Sequence, residues 1–474
     1  MRRLIGLCAV LVSCISLSAQ TPSGLAGRWE GAIAVGGVTL PMSVVFVDDT
    51  GGLAATIDIQ GAKGIPLKAV RYTAADKKVH FELPAGPGLA TFDGTLDGAA
   101  IAGSFAQGQA AGTFTITRAG AAKPAAPPKE VVPYREEDVT FTNGPVTLAG
   151  TLTIPEGPGP FPAFVMVTGS GLQNRDEEIF GFKIFRVIAD DMTRHGIATL
   201  RYDDRGAGGS SGNIATSTTK DFAGDALAGL ALLAARPEID KTRIGVFGHS
   251  EGGAVAAIAA ATAPDRVHFI ITMAGPAVSG AMGLRQQAGD GARSIGATEA
   301  EVARILSAQQ QAFDAVKSNA PATALSAAIR EMITAQLEGR PAAARAAIGD
   351  IPATVNQALP QALAQISSPW MRYFIVTDPA TFIAQVHCPV YAAFGSKDTQ
   401  VPPALHAGPL KAALATAGNT HATVKIYPGA NHLFVTANTG EVSEYATLPK
   451  VFVPGFLDDL VAFVLSREGH LRER

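Results

Sequence analysis

The spacing of hydrophobic positions changes character twice along the chain. Over residues 24–118 apolar residues fall in short or alternating runs (29–35, 38–47, 53–59, 79–83, 90–92, 101–105 and 113–117), broken by Gly, Pro and Asp-Gly turns. Short strands at that spacing predict a small all-β unit, a barrel or a sandwich. Residues 119–133, AGAAKPAAPPKEVVP, carry no hydrophobic period and read as a semi-rigid linker and domain boundary. From 134 to 474 the period alternates between strand and helix. A hairpin is predicted over 139–154 around Asn143-Gly144, followed by a strand over 164–168, a helix over 182–195 stopped by Gly196, and a strand over 197–202. A helix over 220–235, a strand over 244–247, a helix over 254–261 and a strand over 267–273 follow. Such alternation implies parallel crossover units buried on both faces. It is interrupted by Ala- and Gln-rich helical spacing, with helices predicted over 298–317, 321–338, 341–348 and 353–366, the first capped by Thr298 and Glu301. A helical insertion of about 275–370 in an α/β unit reads as a lid, or otherwise as a separate helical subdomain. Strands over 389–394 and 424–427 and a helix over 454–466 complete the pattern.

Composition narrows the picture. A chain of 474 residues with 47% hydrophobic content can bury more than one core. A net charge of −3 with 17% charged residues leaves no basic footprint for nucleic acid. Arg2-Arg3, an apolar run over 4–12 and small residues up to Ala19 predict an export signal over 1–19 and a periplasmic or secreted protein. The alternative is that Leu11-Val12-Ser13-Cys14 acts as a lipobox, with Cys14 lipidated as an outer-membrane anchor. Of the three cysteines, Cys8 and Cys14 fall in the leader and Cys388 stands alone before Pro389. That leaves no staple and no metal cluster to expect, and no cofactor motif appears. The β unit, in which Asp58, His80 and Asp97 read as surface residues, is expected to bind, dock or dimerise, which makes a homodimer one candidate assembly.

Candidate chemistry gathers at strand ends. Gly248-His249-Ser250-Glu251-Gly252 stands between an apolar strand and an Ala-rich helix, the arrangement of a nucleophile elbow, where a sharp turn lifts a serine hydroxyl above the sheet. Two later strands end at Asp398 and His432, giving the chain order serine, acid, histidine. A serine hydroxyl needs an imidazole to take its proton, and a carboxylate to fix the imidazole tautomer. Among nine histidines only His432 follows a late strand in a turn-rich loop after the acid, whereas His249 is expected to point away from the nucleophile. Asp398, in Gly-Ser-Lys-Asp directly off a strand, is preferred over Asp378, Glu441 and Asp458. An oxyanion hole needs two backbone N–H groups: that of Glu251, and that of Ser170 or Gly171. The polar runs 173–177 and 201–206 read as ion pairs bracing the oxyanion loop, with an acidic-substrate site as the alternative. Trp370, Met371, Tyr373 and Phe374 are candidate pocket walls.

Taken together, TGSGLQNRDE (168–177), RYDDRGAGGSSG (201–212), GHSEGG (248–253), FGSKDTQVPP (394–403) and YPGANHLF (427–434) resemble the α/β-hydrolase superfamily. The resemblance is to exported bacterial serine esterases akin to prolyl-oligopeptidase and dienelactone-hydrolase relatives, and it covers residues 134–474. It implies an eight-stranded, mostly parallel sheet and a metal-free acyl-enzyme mechanism on a small-molecule ester. Thr168-Gly169 stands where many relatives have His-Gly before the oxyanion residue. The β unit resembles N-terminal domains attached to some of these esterases. A serine carboxylesterase is therefore expected. The competing readings are a prolyl-oligopeptidase-like peptidase, a thioesterase and a catalytically inactive surface-binding protein.

Overall fold

The computed structural model describes residues 24–472 apart from 36–37, 50–51, 60–61, 85–88, 108–109 and 121–131. The expected export signal, the alternative Cys14 anchor and most of the expected linker lie outside the described residues.

Nine antiparallel strands form the N-terminal unit: Gly27–Val35, Val38–Asp49, Gly52–Ile59, Ala62–Pro66, Lys68–Thr73, Lys78–Pro84, Leu89–Asp97, Ala100–Gln107 and Ala110–Arg118. The first pairs with the last, from Trp29 opposite Arg118 to Val35 opposite Gly112, so one sheet curls into a nearly closed barrel rather than a two-sheet sandwich. Its two edges are Ala62–Pro66 and Lys68–Thr73, strands absent from the sequence pattern. The second buries none of its side chains fully, so it lacks the apolar alternation that betrays a strand. Inward positions supply an aromatic core in which Trp29, Phe46, Phe81, Phe92 and Phe114 are buried. Phe81 stacks on Phe92 at 4.6 Å between ring centroids.

The second unit is built on an eight-stranded sheet. Its strands are β1 (Tyr134–Asn143), β2 (Val146–Pro155), β3 (Phe161–Val167), β4 (Ala198–Tyr202), β5 (Ile239–His249), β6 (Phe269–Met273), β7 (Val390–Gly395) and β8 (Ala422–Tyr427). They lie in the order β1-β2-β4-β3-β5-β6-β7-β8, antiparallel at β1, β2 and β4 and parallel thereafter. The central strands β3, β4 and β6 are almost wholly buried because helices cover both faces. Those helices are α1 (Ile184–Arg194), α2 (Thr219–Ala234), α3 (Glu251–Thr262) and, at the C-terminal end, a helix over Phe456–Arg472 that packs on α1. The strand order reverses around β3, and there the crevice beyond the carboxyl ends of β3 and β5 opens.

Between β6 and β7 the chain forms α4 (Gly280–Ser294), α5 (Glu299–Lys317), α6 (Ala322–Glu338), α7 (Ala342–Ile348), α8 (Ile351–Ile366) and α9 (Pro369–Val376). Of these, α4, α5, α6, α8 and α9 share an apolar cluster that includes Phe313, Ile329, Val355 and Ile375. The expected cap is present: Glu301 N–H donates to Thr298 Oγ1, and the Thr298 N–H donates to Glu301 at 2.8 Å. Helix α4 was not legible in the sequence because GAMGLRQQAGDGARS spends four of its positions on glycine. A short α10 (Ala380–Ile383) precedes β7, and α11 (Pro403–Thr416) follows it. Among the described residues no helix is long and apolar enough to cross a membrane.

Candidate active site

Ser250 stands alone between β5 and α3 with φ 54° and ψ −120°. A non-glycine residue held there costs about 1–3 kcal/mol, so its surroundings must impose the turn. Its N–H donates to the Met273 carbonyl of β6 at 2.8 Å, and its own carbonyl accepts from Gly253 N–H at 2.9 Å. The flanking glycines are obligatory on space alone. A Cβ on Gly248 would meet Gly252 O at 1.9 Å, and one on Gly252 would meet Val167 O at 2.1 Å. Helix α3 starts at Glu251, three residues before the sequence pattern suggests, because Gly252 and Gly253 disguise its first turn.

Asp398 leaves β7 and His432 leaves β8, as expected. The Asp398 carboxylate accepts from His432 Nδ1 at 2.8 Å, and its other oxygen accepts from the N–H groups of Gln400 and Val401 at 2.8 Å each. Burial pushes the Asp398 pKa up, but the His432 imidazole and the two N–H groups outweigh it, holding the carboxyl below its ordinary value. An ionised Asp398 keeps the proton on Nδ1 and leaves Nε2 as the acceptor, the tautomer a general base requires. The buried Asn431 side chain braces this loop by accepting from Leu433 N–H at 3.0 Å and Val435 N–H at 3.2 Å. Of the rival acids, Asp378 accepts from Ala380 N–H at the start of α10, while Glu441 and Asp458 are exposed. Ser250 and His432 line one cavity of about 390 Å³.

His249 has a structural role that the motif did not reveal. Its Nε2 lies 3.0 Å from the His432 carbonyl oxygen and its Nδ1 2.9 Å from Glu177 Oε1. A carbonyl only accepts, so Nε2 carries a proton and Nδ1 meets the carboxylate. Burial lowers the His249 pKa, yet Glu177 and the carbonyl outweigh burial and raise it. Glu177 Oε1 also accepts from Gly169 N–H at 2.7 Å. The buried Glu177–His249 pair thus ties the loop of Gly169 to the loop of His432.

Gly169, Ser170 and Glu251 form part of the cavity wall, whereas Gly171, at φ 104°, lines a small neighbouring cavity. The Glu251 carboxylate accepts from the Thr219 hydroxyl at 2.6 Å, from Trp370 Nε1 at 2.8 Å and from the Ser170 hydroxyl, and burial raises its pKa. It joins α2, α9 and the oxyanion loop. Trp370 and Phe374 stack at 5.3 Å and line the cavity. Met371 turns into the core of the insertion, and Tyr373 packs on the core of the sheet. Among the described residues no group of three or more His, Cys, Asp or Glu side chains is placed to hold a metal ion.

The polar runs are engaged with one another. Arg175 Nη2 donates to Asp203 at 2.7 Å, Thr168 Oγ1 donates to Asp204 at 2.8 Å, Arg201 pairs with Asp176, and Arg205 forks onto Asp225 at 2.7 and 2.8 Å. Burial pushes the Asp203 pKa up, but Arg175 and the N–H groups of Gly209 and Arg175 bring it below the ordinary value. Asp203→Asn is expected to cost about 1–3 kcal/mol at neutral pH. A depressed pKa gives stability that is present above the unfolded-state value and lost as pH falls through the folded one. The gap in melting temperature between variant and wild type should therefore narrow on acidification.

Comparison with known proteins finds two matching family models and several similar proteins. The serine aminopeptidase family model matches residues 182–343, and the dienelactone hydrolase family model matches residues 373–449. Esterase EstD of Thermotoga maritima is 40% identical over 119 residues, which is 25% of this chain and 27% of that esterase. A Mycobacterium tuberculosis protein provisionally named a phosphoribosyl transferase is 29% identical over 253 residues, 48% of this chain and 54% of that protein. The chain thus spans about a quarter to a half of the length of these curated relatives. Among solved structures, an esterase of Pyrococcus furiosus superposes with a TM-score of 0.39 at 15% identity, covering 64% of this chain and 88% of that one. The strand order and the elbow are those of the α/β-hydrolase fold, and the two family models each match a part of it.

Proposed function

We propose that the protein hydrolyses carboxylic esters through an acyl-enzyme on Ser250. The observation that carries this reading is the convergence of Ser250, on its strained elbow, with the His432–Asp398 pair on one cavity. His432 Nε2 takes the Ser250 proton as the hydroxyl attacks the carbonyl carbon. The oxyanion is held by the backbone N–H of Glu251, at the positive end of α3, and by that of Ser170, which unlike Gly171 lies on the cavity wall. His432 then protonates the leaving alcohol and activates the water that releases the acid. Helices α4 and α9 act as a lid: Trp370 and Phe374 shape the acyl pocket, and Gln287 of α4 donates to the Gln400 carbonyl at 2.9 Å, beside the catalytic acid.

The match to a serine aminopeptidase family gives amide cleavage a specific claim, so esters and amides are to be compared directly. The purified protein is expected to turn over p-nitrophenyl acetate with kcat/KM at least about 100-fold above that for prolyl or aminoacyl p-nitroanilides, a gap of about 2.7 kcal/mol in transition-state stabilisation. Faster anilide cleavage would make it a peptidase instead.

A further inference from the structure

His406, on α11, belongs to no part of the proposed triad or oxyanion hole, yet it is one of the residues lining the cavity and is only 1% exposed. Its Nδ1 accepts the backbone N–H of Ala277 at 3.0 Å. An imidazole that accepts at one nitrogen donates at the other. Burial pushes its pKa down to about 4, so the ring is uncharged across the neutral range and its tautomer is fixed with the proton on Nε2. That Nε2 is buried and has no partner among the described residues. An unmet buried donor is a cost to the fold that a ligand relieves by bringing an acceptor.

Several other polar side chains of the wall are committed. Gln400 Nε2 donates to the Tyr445 hydroxyl at 3.1 Å, Gln287 donates to the Gln400 carbonyl, His249 joins Glu177 to His432, and Glu251 already accepts three bonds. Among the described residues no lysine or arginine lines the cavity, while Glu177 and Glu251 do, so a carboxylate-bearing substrate meets no countercharge. We infer that His406 is a specificity-determining residue whose Nε2–H receives an uncharged oxygen of the substrate, and that the preferred substrates are neutral esters carrying an ether, hydroxyl or carbonyl oxygen besides the ester itself. This rests on the ester-hydrolase reading above.

The test compares length-matched pairs: p-nitrophenyl methoxyacetate against butanoate for the acyl side, and 2-methoxyethyl against butyl acetate for the alcohol side. The readout is the ratio of kcat/KM within each pair. In wild type one ratio exceeds the intrinsic reactivity ratio measured in alkaline hydrolysis. In His406→Leu that ratio falls about tenfold, and in His406→Gln, which keeps an acceptor and a donor, it stays within about threefold of wild type. Should the leucine protein not fold, methionine takes its place as an unbranched apolar side chain. Ratios unchanged in both pairs, or glutamine falling as far as leucine, would overturn the inference. A p-nitrophenyl hemisuccinate preferred over the methoxyacetate would also overturn it. Absence of turnover on every ester by the wild-type protein would instead remove the hydrolase reading itself.

Discussion

Ser250→Ala is expected to reduce p-nitrophenyl acetate turnover by about 10⁴-fold or more while leaving the melting temperature close to that of wild type. The size follows from the chemistry. Without the hydroxyl no acyl-enzyme forms, and what survives is the modest help that the oxyanion donors give to direct attack by water. The fold should tolerate the change because the bonds that hold the elbow, to Met273 and Gly253, are made by the Ser250 backbone and not by its side chain. An alkylphosphonate separates this from an indirect effect: wild type should gain one adduct mass on the peptide containing Ser250, and the alanine protein none. Turnover retained in the variant would move the nucleophile to another residue.

A second large effect is expected at Gly252→Ala, where the variant should lose about 3 kcal/mol of stability or fail to fold. The added Cβ would sit 2.1 Å from Val167 O and 2.8 Å from Thr168 O, both of them backbone atoms that no rotamer change can move aside. Relief requires separating α3 from the end of β3, which displaces the oxyanion loop. Activity should therefore fall even in whatever fraction folds. Gly291→Ala gives the contrast. It lies in α4 with nothing within 4 Å of the new methyl group, and it should gain about 0.5–1 kcal/mol. Urea unfolding of the two variants side by side checks both signs, and a Gly252→Ala protein as stable as wild type would contradict the packing described at the elbow.

What the sequence disclosed and what it withheld divide along a physical line. Ser250, Asp398 and His432 were legible because each follows an apolar run and a turn, a signal contained within a few neighbouring residues. The same holds for the Asn143-Gly144 hairpin and for the Thr298 cap. The supporting contacts were not legible because they join distant segments. His249 meets Glu177 across 72 positions and the His432 carbonyl across 183, and no local period reports such a meeting. Glu251 was marked for its backbone N–H, whereas its carboxylate turned out to bind three separate elements. His406 is one of nine histidines in the sequence, and only the fold reveals that Ala277 claims one of its nitrogens. The charged runs at 173–177 and 201–206 were the exception. Their density of opposite charges announced mutual pairing, and the structure shows that pairing.

The chain contains two tryptophans, and the fold assigns one to each unit. Trp29 is sealed in the aromatic core of the barrel, with its indole N–H on the Leu25 carbonyl at 2.8 Å. Trp370 is half-buried at the cavity, with its indole N–H on a carboxylate. The molecule therefore carries two built-in fluorophores in dissimilar surroundings, one apolar and shielded, the other reachable by quenchers and sensitive to what enters the cavity. Replacing either with phenylalanine leaves a single-emitter protein, in which the melting of one unit, or the arrival of a ligand at the other, is read from intrinsic emission without an added dye.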